Sequence, residues 1–492
     1  MTSLSLHSKR HVLEGFLTAE SRQLAILIGA VTLIRLIVIP SFGLGVDEAH
    51  YLLYGLNPAL SYVDHPPLVG WVQMVALTLL GNSEAAGRIV AVGLMGVISW
   101  QAYRFLIAVY VSHRDALWSL VALNSAVMFG ALGLMLLPEN FLLLFLFPLM
   151  RAVLDVQTYG RSQDYFRMAF WLGLCGLAKY TAILLVPAIL GYLIAQKRWD
   201  RLFNRHVLSV IVIGLVMISP VIVWNMQHQW ISFTYQSDHV TGGTMLSFKP
   251  FIKSLSGQVG TYDPWFFLMA IYGWWYAWRS TTPLLRLSGW IGGVVALFFI
   301  LTAFLKPVLP HWSALFYLLF IPIGCASLLA QGWQKMVKGL ILLSSFLSLV
   351  IHAELVGKWG QFPDYQSPFR DIYGYEAIAK QGSRYLQAHH APLQGLAVTN
   401  WTYGSRLMYY ARPYGSRVFT LDEKNRQFAL WEGVSPLGYD LIFVSSHFAH
   451  DVLKERYRCE GWQPLGQSDI KLNGGIVDTI TWTLCHHYQG VR

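Results

Sequence analysis

Apolar runs about as long as a bilayer core is thick recur through the first 354 residues, and no other feature restricts the fold so strongly. A helix needs about 20 apolar residues to cross the hydrocarbon core. Runs near that length are expected as spans at 23–41, 87–103, 116–135, 140–154, 166–178, 181–195, 207–224, 264–278, 287–305, 311–330 and 338–354. Charged residues make up 13% of the chain, about half the roughly 25% usual in soluble domains. A soluble enzyme, a disordered scaffold and a coiled coil are excluded. The runs are continuous rather than alternating, which argues against a β-barrel. The sequence reads as a polytopic α-helical membrane protein of about 11 transmembrane helices.

Two segments need more than a run length. Residues 166–195 have basic flanks at both ends (Arg161, Arg167; Lys197, Arg198, Arg201, Arg205), so both ends belong in the cytoplasm. The segment is expected as a tight hairpin with Lys179 and Tyr180 at its tip. Residues 67–80 are too short to span easily and are placed at the interface or in a re-entrant helix. Lys9, Arg10 and Arg22 precede the first run, but no small-residue cleavage site follows Pro40, so the first span is read as uncleaved. Loops assigned to the cytoplasm carry 16 Lys/Arg, against five on the other face, or six with Arg35. That asymmetry puts the N-terminus inside and the tail outside. It also accounts for the net charge of +10 without a nucleic-acid partner.

The tail, 355–492, mixes turn residues with short β-rich runs (Leu441–Val444, Ile476–Leu484) and a helical patch at Glu376–His389. A small soluble α/β domain fits that mixture. The expected division is a membrane domain, 1–354, whose first outer loop is 42–86, and a periplasmic domain, 355–492. No internal repeat is visible, which gives no support to an inverted-repeat transporter. Cys175 and Cys325 sit in apolar runs as packing residues. Cys459 and Cys485 can pair if the tail faces an oxidising compartment.

Asp47, Glu48, Asp64, His65, Glu139, Lys179, Asn225, His228, Lys306 and His311 all fall on the expected outer face, with Arg35 near the outer end of the first span. Ionisable groups at membrane depth are costly and point to function. Asp47 and Glu48 read either as first-turn acids of a helix cap or as a general base and its neighbour. Pro66-Pro67 stiffens the chain after Asp64-His65. Arg35 reads as a phosphate ligand or a tie between helices, and Arg88 and Lys179 as phosphate ligands or snorkelling anchors. His65 is a cation or a support for Asp47, and Lys306 and His311 lie where a loop meets two spans. Trp224–Trp230, with Phe233 and Gln236, is an interfacial aromatic belt or an outer loop that closes over a ligand. His228 and Asp263 could bind a metal, but two distant ligands make no site, and no catalytic metal is assigned.

The ordered series DEAHYLLYG (47–55), YVDHPPL (62–68), PEN (138–140), KYTAILLVP (179–187) and PVIVWNMQHQWISFTYQ (220–236) resembles the GT-C glycosyltransferases. The branch is that of protein O-mannosyltransferases and lipid A aminoarabinose transferases. RDIYGYEAIA (370–379) and TNWTYGSRLMYY (399–410) extend the resemblance into the tail. It implies a GT-C fold and a bacterial inner-membrane enzyme. Such an enzyme moves a sugar, with inversion, from an undecaprenyl-phosphate-type donor to an acceptor on the periplasmic face. Lipid A or other lipopolysaccharide glycans, another envelope polymer and protein are the acceptor classes. Asp47 matches the family's essential acid and Glu48 the acid beside it. Glu139 stands where relatives often have Asp after Pro. Asp64-His65 replaces the Lys before Pro of the aminoarabinose transferases. Tyr180 follows the Lys179 of its motif and is grouped with the substrate-binding residues.

The chemistry is consistent with that resemblance. The chain has no P-loop or Rossmann signature, and a lipid-phosphate sugar needs no nucleotide cofactor; none is assigned. The reaction needs one base opposite the leaving group and cations around the phosphate. A flippase for polyprenyl-linked glycans is the competing reading. A conduit would place polar residues along its whole length, and the middles of the spans are nearly free of charge.

Overall fold

The computed structural model describes residues 18–241, 246–421, 426–449 and 452–492. Lys9 and Arg10, from the basic flank of the first span, lie outside them. The chain forms two compact units. The first holds the described residues up to Ile39, His65–Leu68 and Arg88–His352; the second holds Pro40–Asp64, Val69–Gly87 and Ala353–Arg492. Residues of the first outer loop therefore share a compact unit with the tail.

Every expected span coincides with helix. The helices are α1 (Ala19–Val38), α2 (Val46–Leu56), α3 (Leu68–Leu80), α4 (Glu84–Ala108), α5 (His113–Ser125), α6 (Val127–Leu134), α7 (Pro138–Thr158), α8 (Ser162–Ala178), α9 (Leu185–Ala195), α10 (Arg205–Met217), α11 (Ser219–Gln227), α12 (Ile231–Thr241), α13 (Phe248–Thr261), α14 (Pro264–Arg279), α15 (Pro283–Ala303), α16 (Ala314–Ala330) and α17 (Gln334–Gly357). Among the described residues six helices are long and apolar enough to cross a membrane, or eight if two bent pairs each count as one span. The expected span at 116–135 is broken between α5 and α6 with a 73° bend, and that at 207–224 between α10 and α11 with a 52° bend. The second break precedes Pro220, which cannot donate to the previous turn. The helix of segment 166–195 breaks at Lys179, whose backbone is extended, and its two arms pack chiefly against different neighbours, α8 against α7 and α10, α9 against α15, where the sequence predicts a tight hairpin.

Lipid-type surface marks this first unit. α1 exposes Ile26, Leu33 and Ile37, α10 exposes Leu208, Ile211 and Leu215, and α17 exposes Leu342 and Phe346. A soluble protein does not present so much contiguous apolar surface to water. The chain is a multi-pass membrane protein. α16 lies at the centre of the unit, buried along most of its length by α5, α14 and α15. Gly273 on α14 meets α16 so closely that a Cβ there would lie 2.7 Å from the Gly324 nitrogen. Small residues at such crossings let helices approach where apolar burial alone gives no drive in lipid.

The second unit is built on a five-stranded mixed sheet. Its later elements are α18 (Tyr375–His389), β1 (Gln394–Val398), α19 (Trp401–Ala411), β2 (Val418–Thr420), α20 (Arg426–Glu432), β3 (Asp440–Ser446), β4 (Tyr457–Leu472) and β5 (Gly475–Val491). The strand order is β2-β1-β3-β5-β4, with β1 parallel to both neighbours and β5 antiparallel to β3 and β4. One face carries the main core, in which Leu396, Ile442 and Trp482 of the sheet pack with Ile378 and Leu407 of the helices and with Leu44, Leu52 and Leu53 of the first loop. The expected small α/β tail is thus present, and its core takes apolar residues from the first loop as well. Cys459 and Cys485, on adjacent strands, form a disulfide with their Cα atoms 5.5 Å apart.

Candidate functional site

In the first unit, the PEN motif is a device for starting α7 with an acid. Pro138 opens the helix, where its missing N–H costs nothing. Asn140 accepts from the Leu137 N–H (2.9 Å) and donates to the Leu132 carbonyl (2.6 Å), locking the turn. Glu139 is thereby presented at the helix N-terminus, where the macrodipole favours a negative charge. Lys179 ends α8, where the dipole favours a cation. The two buried side chains meet, with Lys179 Nζ donating to Glu139 Oε1. His311 Nε2, from the turn before α16, lies 3.6 Å from the same oxygen. His65 belongs to the same unit. Lys179 and His311 therefore converge on one carboxylate oxygen of Glu139.

Tyr262 belongs to this neighbourhood and was not singled out from sequence. It is fully buried, stacks on Tyr317 with ring centroids 3.6 Å apart, and donates to the Pro310 carbonyl (3.1 Å) beside His311. Its only sequence signal is its place before Asp263-Pro264 at a helix start.

The remaining residues of the first unit make structural bonds. Arg35 is buried, and its Nη2 donates to Asn124 Oδ1 (3.1 Å) and the Phe129 carbonyl (3.2 Å), on either side of the α5–α6 break. The tie between helices is thus the geometry observed. Arg88 is fully buried, not snorkelling, and its Nη1 donates to the Ile39 carbonyl (2.7 Å) at the end of α1. Asn225 accepts from the Ser232 N–H (3.1 Å) and donates to the Val221 carbonyl (3.0 Å), stapling the turn in which Gln229 and Trp230 have positive φ. His228 stacks on Trp224 at 4.0 Å and bonds its carbonyl at 2.7 Å. Tyr180 reaches the same segment, 6.1 Å from the Phe233 ring. Lys306 Nζ donates to the Asp238 carbonyl.

In the second unit, the two acids that open α2 have separate fates. Glu48 is buried and its Oε2 accepts from the Gly45 N–H (3.1 Å), so Glu48 is the helix cap. Asp47, in the same first turn, is half-buried. Asp64 is gripped by two α2 side chains: His50 Nε2 at 3.1 Å and the Tyr54 hydroxyl, which donates to Oδ1. Burial, with Asp64 beside it, pushes the Tyr54 hydroxyl well up, so it remains a donor. The rings of Trp401, Phe428 and Trp431 pack around His50. Neither His50 nor Tyr54 was singled out from sequence, although both lie inside the DEAHYLLYG motif on the face that meets Asp64.

Comparison with known proteins follows this geometry. The family model for dolichyl-phosphate-mannose-protein mannosyltransferase matches residues 64–224, which contain Asp64, His65, Arg88, Glu139, Lys179 and Tyr180. No curated protein sequence matches the chain. Among solved structures, ArnT from Cupriavidus metallidurans bound to undecaprenyl phosphate superposes with a TM-score of 0.62 at 14% identity, over 94% of this chain and 98% of that one. The same protein in the apo state gives 0.59 at 15% identity, again over 94% and 98%. The chain has the GT-C fold and is a glycosyltransferase. Within that class its residues 64–224 are similar to the mannosyltransferase family, and its fold to ArnT.

Proposed function

We propose that this enzyme transfers a sugar, with inversion, from a polyprenyl-phosphate donor to an acceptor at the periplasmic face of a bacterial inner membrane. Lipid A or another envelope glycan is the acceptor class the resemblance favours. The observation that carries the reading is the buried Glu139–Lys179 ion pair with the half-buried His311 beside it, in a unit built of apolar helices. Buried charge is costly in a membrane, and a lipid-borne phosphate is a ligand that would use it. The undecaprenyl phosphate bound in the structure of similar fold supports that ligand class. The Cys459–Cys485 disulfide supports a tail in an oxidising compartment.

In the proposed reaction an acceptor hydroxyl attacks the anomeric carbon as its bond to the phosphate oxygen breaks. The electron pair leaves with the polyprenyl phosphate, and the hydroxyl proton passes to a general base, the part that the family resemblance gives to Asp47. Lys179 and His311 stabilise the departing phosphate, and Glu139 holds Lys179 in place. Asp64, bonded by His50 and Tyr54, ties its loop to α2, the helix that carries Asp47. A single displacement of this kind inverts the anomeric configuration.

The test is sugar transfer from undecaprenyl-phosphate sugars by purified protein in proteoliposomes. Asp47→Asn is expected to fold normally and to lose activity by about 10²-fold or more. Full activity in that variant, or a product with retained configuration, refutes the assignment. Mass spectrometry of envelope glycolipids from a deletion strain identifies the acceptor.

A further inference from the structure

One end of the central strands of the sheet carries a second polar cluster that the transfer reaction does not use. His389 ends α18, Asp440 opens β3 and His486 lies on β5. His389 Nε2 is 2.7 Å from Asp440 Oδ2, and His486 Nδ1 is 3.3 Å from the same oxygen. One ligand atom from each of the three residues falls within 4.8 Å of the other two. From these positions we propose that His389, Asp440 and His486 bind a zinc ion that fastens α18 to the sheet.

The backbone prepares this convergence. The Tyr488 N–H donates to the Tyr439 carbonyl (2.8 Å), the Gly438 N–H donates to the Tyr488 carbonyl (2.8 Å), and Leu441 pairs with Cys485. Between those two points β3 has only Asp440, while β5 has His486 and His487. Two residues opposite one is a β-bulge, the device that re-aims side chains at a strand edge. The disulfide at Cys485 anchors β5 beside the bulge. The His487 N–H donates to Asp440 Oδ1 (2.8 Å), so the carboxylate is oriented with Oδ2 facing both imidazoles. Bonds that fix a carboxylate in this way are a common support for metal ligands.

The donor set and spacing suit zinc. Two imidazole nitrogens and one carboxylate oxygen form a known zinc ligand set, which leaves one coordination position open. With bonds of about 2.0–2.1 Å, tetrahedral ligand atoms stand roughly 3.3 Å apart. The His486–Asp440 separation already equals that edge, His389 stands 2.7 Å from the same oxygen, and no two of the three ligand atoms are more than 4.8 Å apart, so small side-chain movements bring the set to that spacing. His487 Nδ1 lies 3.8 Å from Asp440 Oδ1 and 4.0 Å from Glu460 Oε2, so two further ligand-type side chains flank the cluster. Three histidines around one carboxylate have a simpler use, a proton-shared hydrogen-bond network, and the experiment separates the two.

Full-length protein in detergent is stripped with chelator and titrated with Zn²⁺ by calorimetry, then with Co²⁺ followed by visible absorption. The expected result is one saturable ion per chain, tetrahedral cobalt bands, and a rise in melting temperature with zinc. His389→Gln and His486→Gln are each expected to weaken binding by about tenfold or more and to abolish the zinc-dependent rise. Absence of saturable binding or of cobalt bands in the wild type overturns the site without recourse to any variant. So does undiminished binding in the two glutamine variants.

Discussion

Lys179 and Glu139 form an ion pair with almost no solvent access, one at the end of α8 and the other at the start of α7. Each charge faces the helix terminus of matching dipole sign, so the two helix ends share one stabilised pair. Removing one member leaves the other buried and alone. Lys179→Met is therefore expected to cost about 3–5 kcal/mol, and the double variant Lys179→Met/Glu139→Gln to recover most of that loss. Thermal unfolding in detergent measures the recovery. Transfer activity should stay absent in the double variant if Lys179 serves the donor phosphate; activity that returns along with stability assigns the pair a structural role alone.

Glu48 is a helix cap, and its removal should show as instability. Glu48→Ala is expected to lose about 1 kcal/mol, with the turnover of correctly folded enzyme largely kept. Paired melting curves and single-concentration assays against Asp47→Asn distinguish the two neighbours. A turnover loss as deep as that of Asp47→Asn, with an unchanged melting point, reverses the assignment.

Arg35 bridges the break between α5 and α6 through Asn124 and Phe129. Arg35→Lys keeps the charge but not the planar fork. A stability loss of about 1.5–3 kcal/mol is expected, with the KM for the lipid donor unchanged. A raised KM at undiminished stability would place Arg35 at the phosphate instead.

Glu432 supplies a pH dependence. Burial pushes its carboxyl from an ordinary 4.5 up to about 8, against the opposing bond from the Thr420 N–H (2.7 Å). The folded form thus favours the protonated acid. Its contribution to stability is fully present below pH about 4.5 and is lost as the pH rises towards about 8. Glu432→Gln should flatten that part of the stability profile and raise the melting temperature at the alkaline end. Parallel wild-type and variant profiles across this window would show that Glu432 does not titrate there.

The disulfide should matter to the sheet domain. Cys459 and Cys485 close a loop with a sequence separation of 26, for which loop closure predicts about 3 kcal/mol. Peptide mass mapping without reductant should recover the linked pair, and reductant should lower the melting temperature. Recovery of the two peptides unlinked from envelope-purified protein would refute the bond.

Membrane-span helices and a mixed tail were legible in the sequence because they depend on local properties: length of apolar run, period of the pattern, turn residues. The same holds for the capping acids after Gly45 and for the PEN motif, whose three residues act on one helix turn. The bends at Ala126 and before Pro220 were less legible. An apolar run of sufficient length looks continuous whether or not its backbone is straight, and the first bend is held by Arg35, some 90 residues away in sequence.

The sequence alone determined the solvent of each segment, because the free energy of placing a residue in lipid or water follows from its own side chain. It also supplied the ordered motifs that mark the glycosyltransferase class. Only the tertiary structure decided which charges meet. Glu139 and Lys179 are separated by 40 positions, Asp64 is held by two residues of an earlier helix, and Asp440 gathers histidines from a helix end and a bulged strand. Such pairings depend on how helices cross and strands register, and those geometries arise from packing summed over the whole fold.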